Sequence, residues 1–479
     1  MNFRLTLFVL GWLLVFMGVV LLFPILFSLW FGDGEVMNFL ASAVLTAGAG
    51  YGMTRWFRSD RRMTIREGFG IVTFGWLAFA IFGALPYLFG DVLSNPIDAF
   101  FESMSGFSTT GSTVITDLEP VPESILVWRS LTQWLGGMGI IVLSLAILPV
   151  LGVGGMQLFE AEVPGPTADR LRPRIQDTAK LLWGVYFFIT ALEAVFLMFG
   201  GMNFYEAVCH SLTTMATGGF STENASIGAW DSTYIHVVIT CFMFLAGVNF
   251  SLHFHCLRGS PKSYLKSEEF RFYVGLIAAA VLALFLFNLV VYDRAGTNLR
   301  DSTFNAVSLM TTTGYGTADY EGWPIVSQYM LITLMFVGGC AGSTGGGMKV
   351  VRVMLLLKHS VLQVTKLIHP KQVRFLKMDH KPVGDDVIQS ILGFFALYIG
   401  LFLFASLAMA AFGVDLVTSG ASVIACLSNI GPGLGDVGPT DNFAGLPGAG
   451  KVLLTFCMLF GRLELFTVMV VFVPAFWRK

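Results

Sequence analysis

Charge is scarce in this chain of 479 residues: Asp, Glu, Lys and Arg make up 13% of it, against 55% hydrophobic residues. With a mean hydropathy of +0.73, a water-soluble globular protein of this size is excluded and lipid is the expected solvent. Cysteine is sparse too. The six (Cys209, Cys241, Cys256, Cys340, Cys426 and Cys457) show no CxxC spacing, so neither a zinc site nor a disulfide framework is indicated, and they read as small core residues. Catalytic patterns are missing as well: there is no Ser-His-Asp order, no HExxH, no paired carboxylates in a soluble cleft and no GxGxxG after a strand. The chain is therefore expected to be neither an enzyme nor a nucleotide binder, and no nucleic-acid partner is expected.

What is abundant is apolar sequence and glycine, at 53 residues. Segments long enough to cross the hydrocarbon core lie near 5–31, 36–57, 68–90, 124–151, 178–201, 231–257, 270–292, 325–357, 386–412 and 450–476. An all-α polytopic membrane protein follows, with ten crossings and both termini on one side. The N-terminal run lacks a small-residue cleavage site and reads as a retained first span. Most of the 29 Lys and Arg fall in alternate loops: Arg55, Arg58, Arg61, Arg62 and Arg66; Arg170, Arg172, Arg174 and Lys180; Arg258, Lys262, Lys266 and Arg271; and Lys349, Arg352, Lys358, Lys366, Lys371, Arg374, Lys377 and Lys381. Arg4, Arg478 and Lys479 share that side, which should be the cytoplasm. The opposite loops are acidic, among them Asp98, Glu102, Asp319, Glu321 and Asp436, and would concentrate cations at an outer mouth.

A segment too short to cross the bilayer, yet apolar enough to enter it, recurs four times on that outer side. Aligning Gly111, Gly219, Gly314 and Gly431 puts Thr109, Thr217, Thr312 and Asn429 in one column, and Ser105, Thr213 and Ser308 in another. The glycines recur at intervals of roughly 100 residues, room each time for one span inward, a loop and one span back. The expected organisation is a two-span extension, 1–66, followed by pore repeats at 67–177, 178–268, 269–383 and 384–479. Each re-entrant segment begins near a capping residue, Asp98, Asn203, Asp301 or Asp415, which predicts a helix running inward. At roughly 11 residues such a helix is about 17 Å long and stops near mid-membrane, its negative end facing a central cavity. The chain must then return as extended backbone, tolerated at that depth only along a water- or ion-filled path. Four such strands around one axis would offer rings of carbonyl oxygens to a dehydrated monovalent cation.

The loops Thr109, Thr110, Gly111, Ser112; Thr217, Gly218, Gly219, Phe220; Thr312, Thr313, Gly314, Tyr315; and Asn429, Ile430, Gly431, Pro432 resemble the four filter loops of the Trk/Ktr/HKT superfamily of potassium transporters. The similarity covers essentially the whole chain, and the two spans ahead of the first repeat resemble the TrkH branch. The third loop is also close to the Thr-Val-Gly-Tyr-Gly loop of potassium channels. The resemblance implies K+ as the transported ion at those residues, and a homodimer in the bacterial inner membrane with one pore per protomer. It further implies a cytosolic TrkA-type ring that carries NAD or ATP, with the loop from Lys358 to Lys381 as a contact. In some plant members a serine in the first glycine column accompanies sodium transport; Gly111 here implies potassium.

Glycines at 338, 339, 342, 345, 346 and 347 interrupt an apolar segment of about 33 residues, too long for one straight span. The stretch Gly342, Ser343, Thr344, Gly345, Gly346, Gly347 with Lys349 lacks the Gly-Lys-Ser/Thr ending of a phosphate-binding loop. It resembles the intramembrane gate loop of the TrkH branch. Arg462 lies about 17 Å along a helix from Lys451, near mid-membrane, where an ionisable group is a functional candidate; the resemblance puts it against that gate. Glu464, two residues on, lies on another face and is not its helical partner. Glu193 is the other acidic residue deep in a span. With Glu464 it leaves open an alternative, a symporter coupling potassium to protons or sodium. His253 and His255 form an HxH pair that reads as satisfied or solvated histidines.

Overall fold

Apolar sequence in lipid must satisfy its own backbone, and helices do this within a single segment. Among the described residues helices accordingly follow one another from Phe3 to Trp477, and the only β-structure there is an antiparallel hairpin of two-residue strands, Lys377–Met378 with Lys381–Pro382. The computed structural model describes residues 2–59, 63–139, 175–369, 375–379 and 381–477. The distal part of the expected 124–151 span lies outside the described residues, as do Arg61, Arg62, Arg170, Arg172, Arg174, Lys371, Arg374, Arg478 and Lys479.

Among the described residues six helices are long and apolar enough to cross a membrane: Phe3–Phe31, Val36–Trp56, Arg66–Phe89, Lys180–Phe199, Glu268–Asn288 and Asp385–Ala411. The first two pack so closely that a Cβ on Gly11 would lie 2.7 Å from the Gly50 carbonyl oxygen, the small-residue contact that holds membrane helices together.

Three other expected spans are broken. Thr233–Ala246 and Phe250–Leu257 meet at 103°, and Gly448–Arg462 and Phe466–Phe472 at 118°. Ile325–Val337 stops after 13 residues and the helix resumes only at Val350. Of these breaks only the one after Val337 was expected; 231–257 and 450–476 were expected as single spans. Their bends have local causes. Asn249 accepts a hydrogen bond from the Ser251 amide at 2.8 Å and starts a new helix, while Glu464 and Leu465 take left-handed φ values of 53° and 48°.

Between the spans sit four short helices, Pro96–Phe107, Phe204–Met215, Ala295–Met310 and Leu416–Leu427. Asn203 and Asp415 cap the second and fourth as expected. Two caps differ. The first helix is capped by Asn95, whose side chain accepts from Ile97 N at 3.0 Å, with Pro96 behind it; Asp98 is in the first turn and binds Lys451 Nζ at 2.7 Å. The third helix begins earlier, at Ala295, and Asp301 lies inside it, paired with Arg300 at 3.0 Å. Among the cysteines, Cys209, Cys340, Cys426 and Cys457 are buried, whereas Cys241 is exposed and Cys256 half-buried, so those two are not core residues.

Candidate functional site

Each short helix ends in the same turn. The residue two before the aligned glycine has a left-handed backbone in all four loops: Thr109 (φ 55°), Thr217 (52°), Thr312 (62°) and Asn429 (55°). The glycine itself is left-handed too, at φ 86° for Gly111, 75° for Gly219, 83° for Gly314 and 106° for Gly431. Between them, the amides of Thr110, Gly218, Thr313 and Ile430 reach back to the carbonyls of Ser105, Thr213, Ser308 and Ala425 at 2.8–2.9 Å. An amide bond that reaches past the helix end in this way satisfies an orphan carbonyl and aims the chain back outward.

The four turns close into a ring. A Cβ on Gly111 would lie 2.1 Å from the Gly218 carbonyl oxygen, on Gly219 2.0 Å from that of Thr313, on Gly314 1.8 Å from that of Ile430, and on Gly431 2.9 Å from that of Thr110. First loop meets second, second third, third fourth, and fourth first, around one axis. Only glycine fits such close approach of one backbone to the next. Thr110, Gly218, Thr313 and Ile430 thus present a continuous circuit of carbonyls. Gly111, Gly219 and Gly314 keep partial exposure amid buried neighbours.

Side chains brace the ring. Asn429 Nδ2 donates to Thr110 Oγ1 at 2.9 Å and to Met458 O at 2.9 Å. Ser112 donates to Gly431 O at 3.1 Å, Ser308 to Tyr315 O at 2.7 Å, and the Tyr315 and Thr213 hydroxyls meet. Phe220 and Pro432 complete the second and fourth loops; Phe220 is buried under the Arg129 guanidinium, 3.6 Å from its ring centroid.

Three bracing residues were not among those singled out for the loops. Glu102, read only as an outer acid, is fully buried and accepts from Arg129 Nε at 2.6 Å, Val114 N at 2.9 Å and Thr113 Oγ1 at 3.1 Å; Arg129 also donates to Ser221 O at 3.0 Å. Gln133 Nε2 donates to Gly218 O at 2.7 Å and its Oε1 accepts from Phe220 N at 3.1 Å. Polar residues at 129 and 133, one helical turn apart in an apolar segment, were the available signal.

The glycine-rich loop lies directly beneath the ring. Thr344 Oγ1 donates to Met215 O at 3.0 Å, Gly346 N to Thr312 Oγ1 at 2.6 Å, and Gly347 N to Ser428 O at 3.0 Å, so the loop touches the inner ends of the second, third and fourth short helices. Gly338, Gly342 and Gly347 turn it with φ values of 79°, 73° and 70°, and Lys349, also left-handed, bonds the Gly345 carbonyl through Nζ. It is further tied to the bend at Gly247, whose carbonyl accepts from Cys340 N at 2.9 Å, while Phe250 N donates to Gly342 O at 3.0 Å. Ser343 Oγ donates to Cys340 O at 2.6 Å.

Arg462 joins this loop to the first repeat. It donates to Thr344 O at 2.8 Å and to Gly137 O at 2.5 Å, and also bonds Gly136 O. Glu464 pairs instead with Arg352. On the loop's far side lies a cavity of about 1100 Å³ whose wall includes Gly345, Lys349, Arg462, Arg271, Lys381 and Glu464. The HxH pair is divided: His253 bonds Tyr264 OH at 2.6 Å and Leu245 O at 2.9 Å, and His255 is exposed. Glu193 is fully buried, with the Thr214 hydroxyl beside it.

Such an arrangement can do two things chemically. A circuit of peptide oxygens at the ends of four helices favours a cation stripped of water. A loop bearing one cation, Lys349, and held by a second, Arg462, would oppose the passage of such an ion.

The family model for TrkH, cation transport protein, matches residues 35–479. The chain is 42% identical over 489 residues to the Trk system potassium uptake protein TrkH of Salmonella typhimurium, and 43% identical over 487 residues to that of Halomonas elongata, covering 100% of both chains in each case. The crystal structure of the potassium transporter TrkH from Vibrio parahaemolyticus matches with a TM-score of 0.90 at 37% identity, again over 100% of both chains.

Proposed function

The chain belongs to the TrkH family of cation transport proteins, multi-pass membrane transporters, and from that premise we propose that it takes up potassium across the bacterial inner membrane. The observation that carries the proposal is the cyclic contact of the four turns, Gly111 on Gly218, Gly219 on Thr313, Gly314 on Ile430 and Gly431 on Thr110. Thr109 to Ser112, Thr217 to Phe220, Thr312 to Tyr315 and Asn429 to Pro432 form the filter and bind K+ through peptide oxygens. Residues 1–66 are a two-span extension, and 67–177, 178–268, 269–383 and 384–479 are the four pore units.

Gly342 to Gly347 with Lys349 act as the gate, held shut by Arg462. Bonds from this loop to the inner ends of three short helices support that role: the loop occupies the ground an ion leaving the filter must cross. With the basic face in the cytoplasm, both termini are cytoplasmic and the gate lies on the inner side. The protein acts as a homodimer, and a cytosolic TrkA-type ring, binding NAD or ATP, docks on the basic loops and moves the gate.

Rubidium uptake into proteoliposomes, with and without the cytosolic partner, tests this. Uptake that discriminates against sodium and rises with the partner is expected; absence of rubidium flux with the partner present would leave a membrane scaffold whose glycine loops only pack helices.

One observation favours a coupled mechanism as the second reading. Glu464 is committed to Arg352, but Glu193 is a fully buried carboxyl with only the Thr214 hydroxyl beside it, a place for a carried proton. Saturable rubidium flux driven by a pH gradient at zero potassium gradient, abolished in Glu193→Gln, would establish symport.

A further inference from the structure

The glycine-rich loop is held from below as well as from above. Helix Glu268–Asn288 begins, after the Ser267 cap, with two consecutive carboxylates that face different neighbours. Glu269 is buried and its Oε1 accepts from Ala341 N of the loop at 2.7 Å. Glu268 faces the Lys377–Pro382 hairpin: its amide donates to Asp379 Oδ1 at 2.7 Å while Asp379 N donates to Glu268 Oε2 at 3.0 Å. Lys358 tightens this end, with Nζ 2.9 Å from Glu268 Oε1 and donating to Lys377 O at 3.1 Å. Two acids in a first turn are also favoured by the positive end of the helix.

Hairpin and loop share apolar packing too. Leu376, Met378 and Val383 of the hairpin segment and Ala341 of the loop belong to a small core, with Val351 and Leu355, that is separate from the main core of the molecule. Displacing the hairpin would therefore disturb Ala341 by two routes, one polar through Glu268 and Glu269 and one apolar.

We propose that the Lys377–Pro382 hairpin is the handle of the glycine-rich loop, and that Glu268 and Glu269 are positioning residues which carry the hairpin's place to it. The proposal rests on the reading of that loop as the gate. Moving the hairpin from the basic face frees Asp379 from Glu268, turns the start of the helix and withdraws Glu269 from Ala341. The loop then loses its lower anchor while the filter above keeps all of its own contacts.

The test uses the full chain with Ser343→Cys as a reporter in the loop and a membrane-impermeant maleimide as probe, the unsubstituted chain giving the background. Asp379 is exposed and its replacement leaves the packed interior intact. Asp379→Ala and Glu269→Ala are each expected to speed labelling on the order of ten-fold, and the double variant no further than the faster single, because both cut one chain of contacts. Glu269→Gln, which keeps an acceptor for Ala341 N, stays near the parent rate. Labelling at the parent rate in either alanine variant overturns the proposal, as does a double variant whose effect is the product of the singles, or Glu269→Gln as fast as Glu269→Ala. Rubidium flux measured alongside separates the two readings. Faster labelling with no rubidium passage in any variant keeps the handle and removes the potassium pathway; flux with unchanged labelling does the opposite.

Discussion

The ring of four turns and the glycine-rich loop beneath it, the upper and lower halves of one central assembly, are built on opposite rules. Above, one turn is made four times, from sequences as different as Thr109 to Ser112 and Asn429 to Pro432, with the same left-handed pair and the same backward amide bond. Below, a single loop from Gly338 to Lys349 is made once and held by unlike partners: a threonine hydroxyl, helix-end carbonyls, an arginine and a glutamate. On the proposed reading, a ring that replaces a hydration shell needs equivalent oxygens on every side, and the ion would enforce the repetition. A gate, on the same reading, would need only to lie in the way, and one repeat would be enough to supply it.

That contrast can be broken by experiment. The largest effect is expected from Glu102→Ala, which strands buried Arg129 between the first two turns. A loss of about 3–5 kcal/mol is expected, read as a lower melting temperature in detergent with filter function lost. Stability unchanged would mean that the pair does not brace the ring. Next come paired glycine substitutions. Gly314→Ala puts a methyl 1.8 Å from a backbone oxygen at φ 83°, while Gly345→Ala in the lower loop puts it 2.9 Å from Thr311 O with ordinary φ. The first should abolish rubidium uptake, with strain of about 1–3 kcal/mol or more; the second should spare selectivity and alter only leak. Equal effects would erase the distinction between the halves.

Gly111→Ser sharpens the same point, since its Cβ would lie 2.1 Å from Gly218 O. Weaker discrimination between potassium and sodium is expected from vesicle uptake ratios, and an unchanged ratio would count against the ring. Deleting Gly345 to Gly347 should raise rubidium leak on the order of ten-fold with selectivity retained, because the bonds to Thr312 and Ser428 are lost. The smallest change is expected from Thr344→Val, which removes one hydroxyl and about 1 kcal/mol of closure, visible as a few-fold rise in leak.

Much of the upper half was legible because its signal is local and repeated. Four glycines mark turns whose left-handed backbone glycine suits, and the Thr/Asn column ahead of them, where three β-branched threonines stand at positive φ, repeats in step. Cap placement went astray where two candidates competed: Asn95 with Pro96 starts a helix better than Asp98, and nothing before Asp301 stopped the third helix from starting at Ala295. The bends after Ala246 and Arg462 were hidden by unbroken hydropathy, though Gly247, Asn249 and Gly461 stood at the matching points. Glu102, Arg129 and Gln133 escaped because a buried pair or bridge is formed across sequence distance, and neither partner announces the other. Arg462 was found, since a lone cation in an apolar run is conspicuous, but its carbonyl partners at Gly136 and Gly137 were not.

The head-to-tail contact of the four turns bears on how such proteins can diverge. A change in any one turn is felt first by the loop whose carbonyl it faces, in a fixed rotational order, first to second to third to fourth and back. Mutational histories of this ring should therefore be epistatic with a direction. A bulky replacement at Gly111 is rescued, if at all, by shortening or reorienting the backbone at Gly218, and far less readily by any adjustment at Gly314 across the axis.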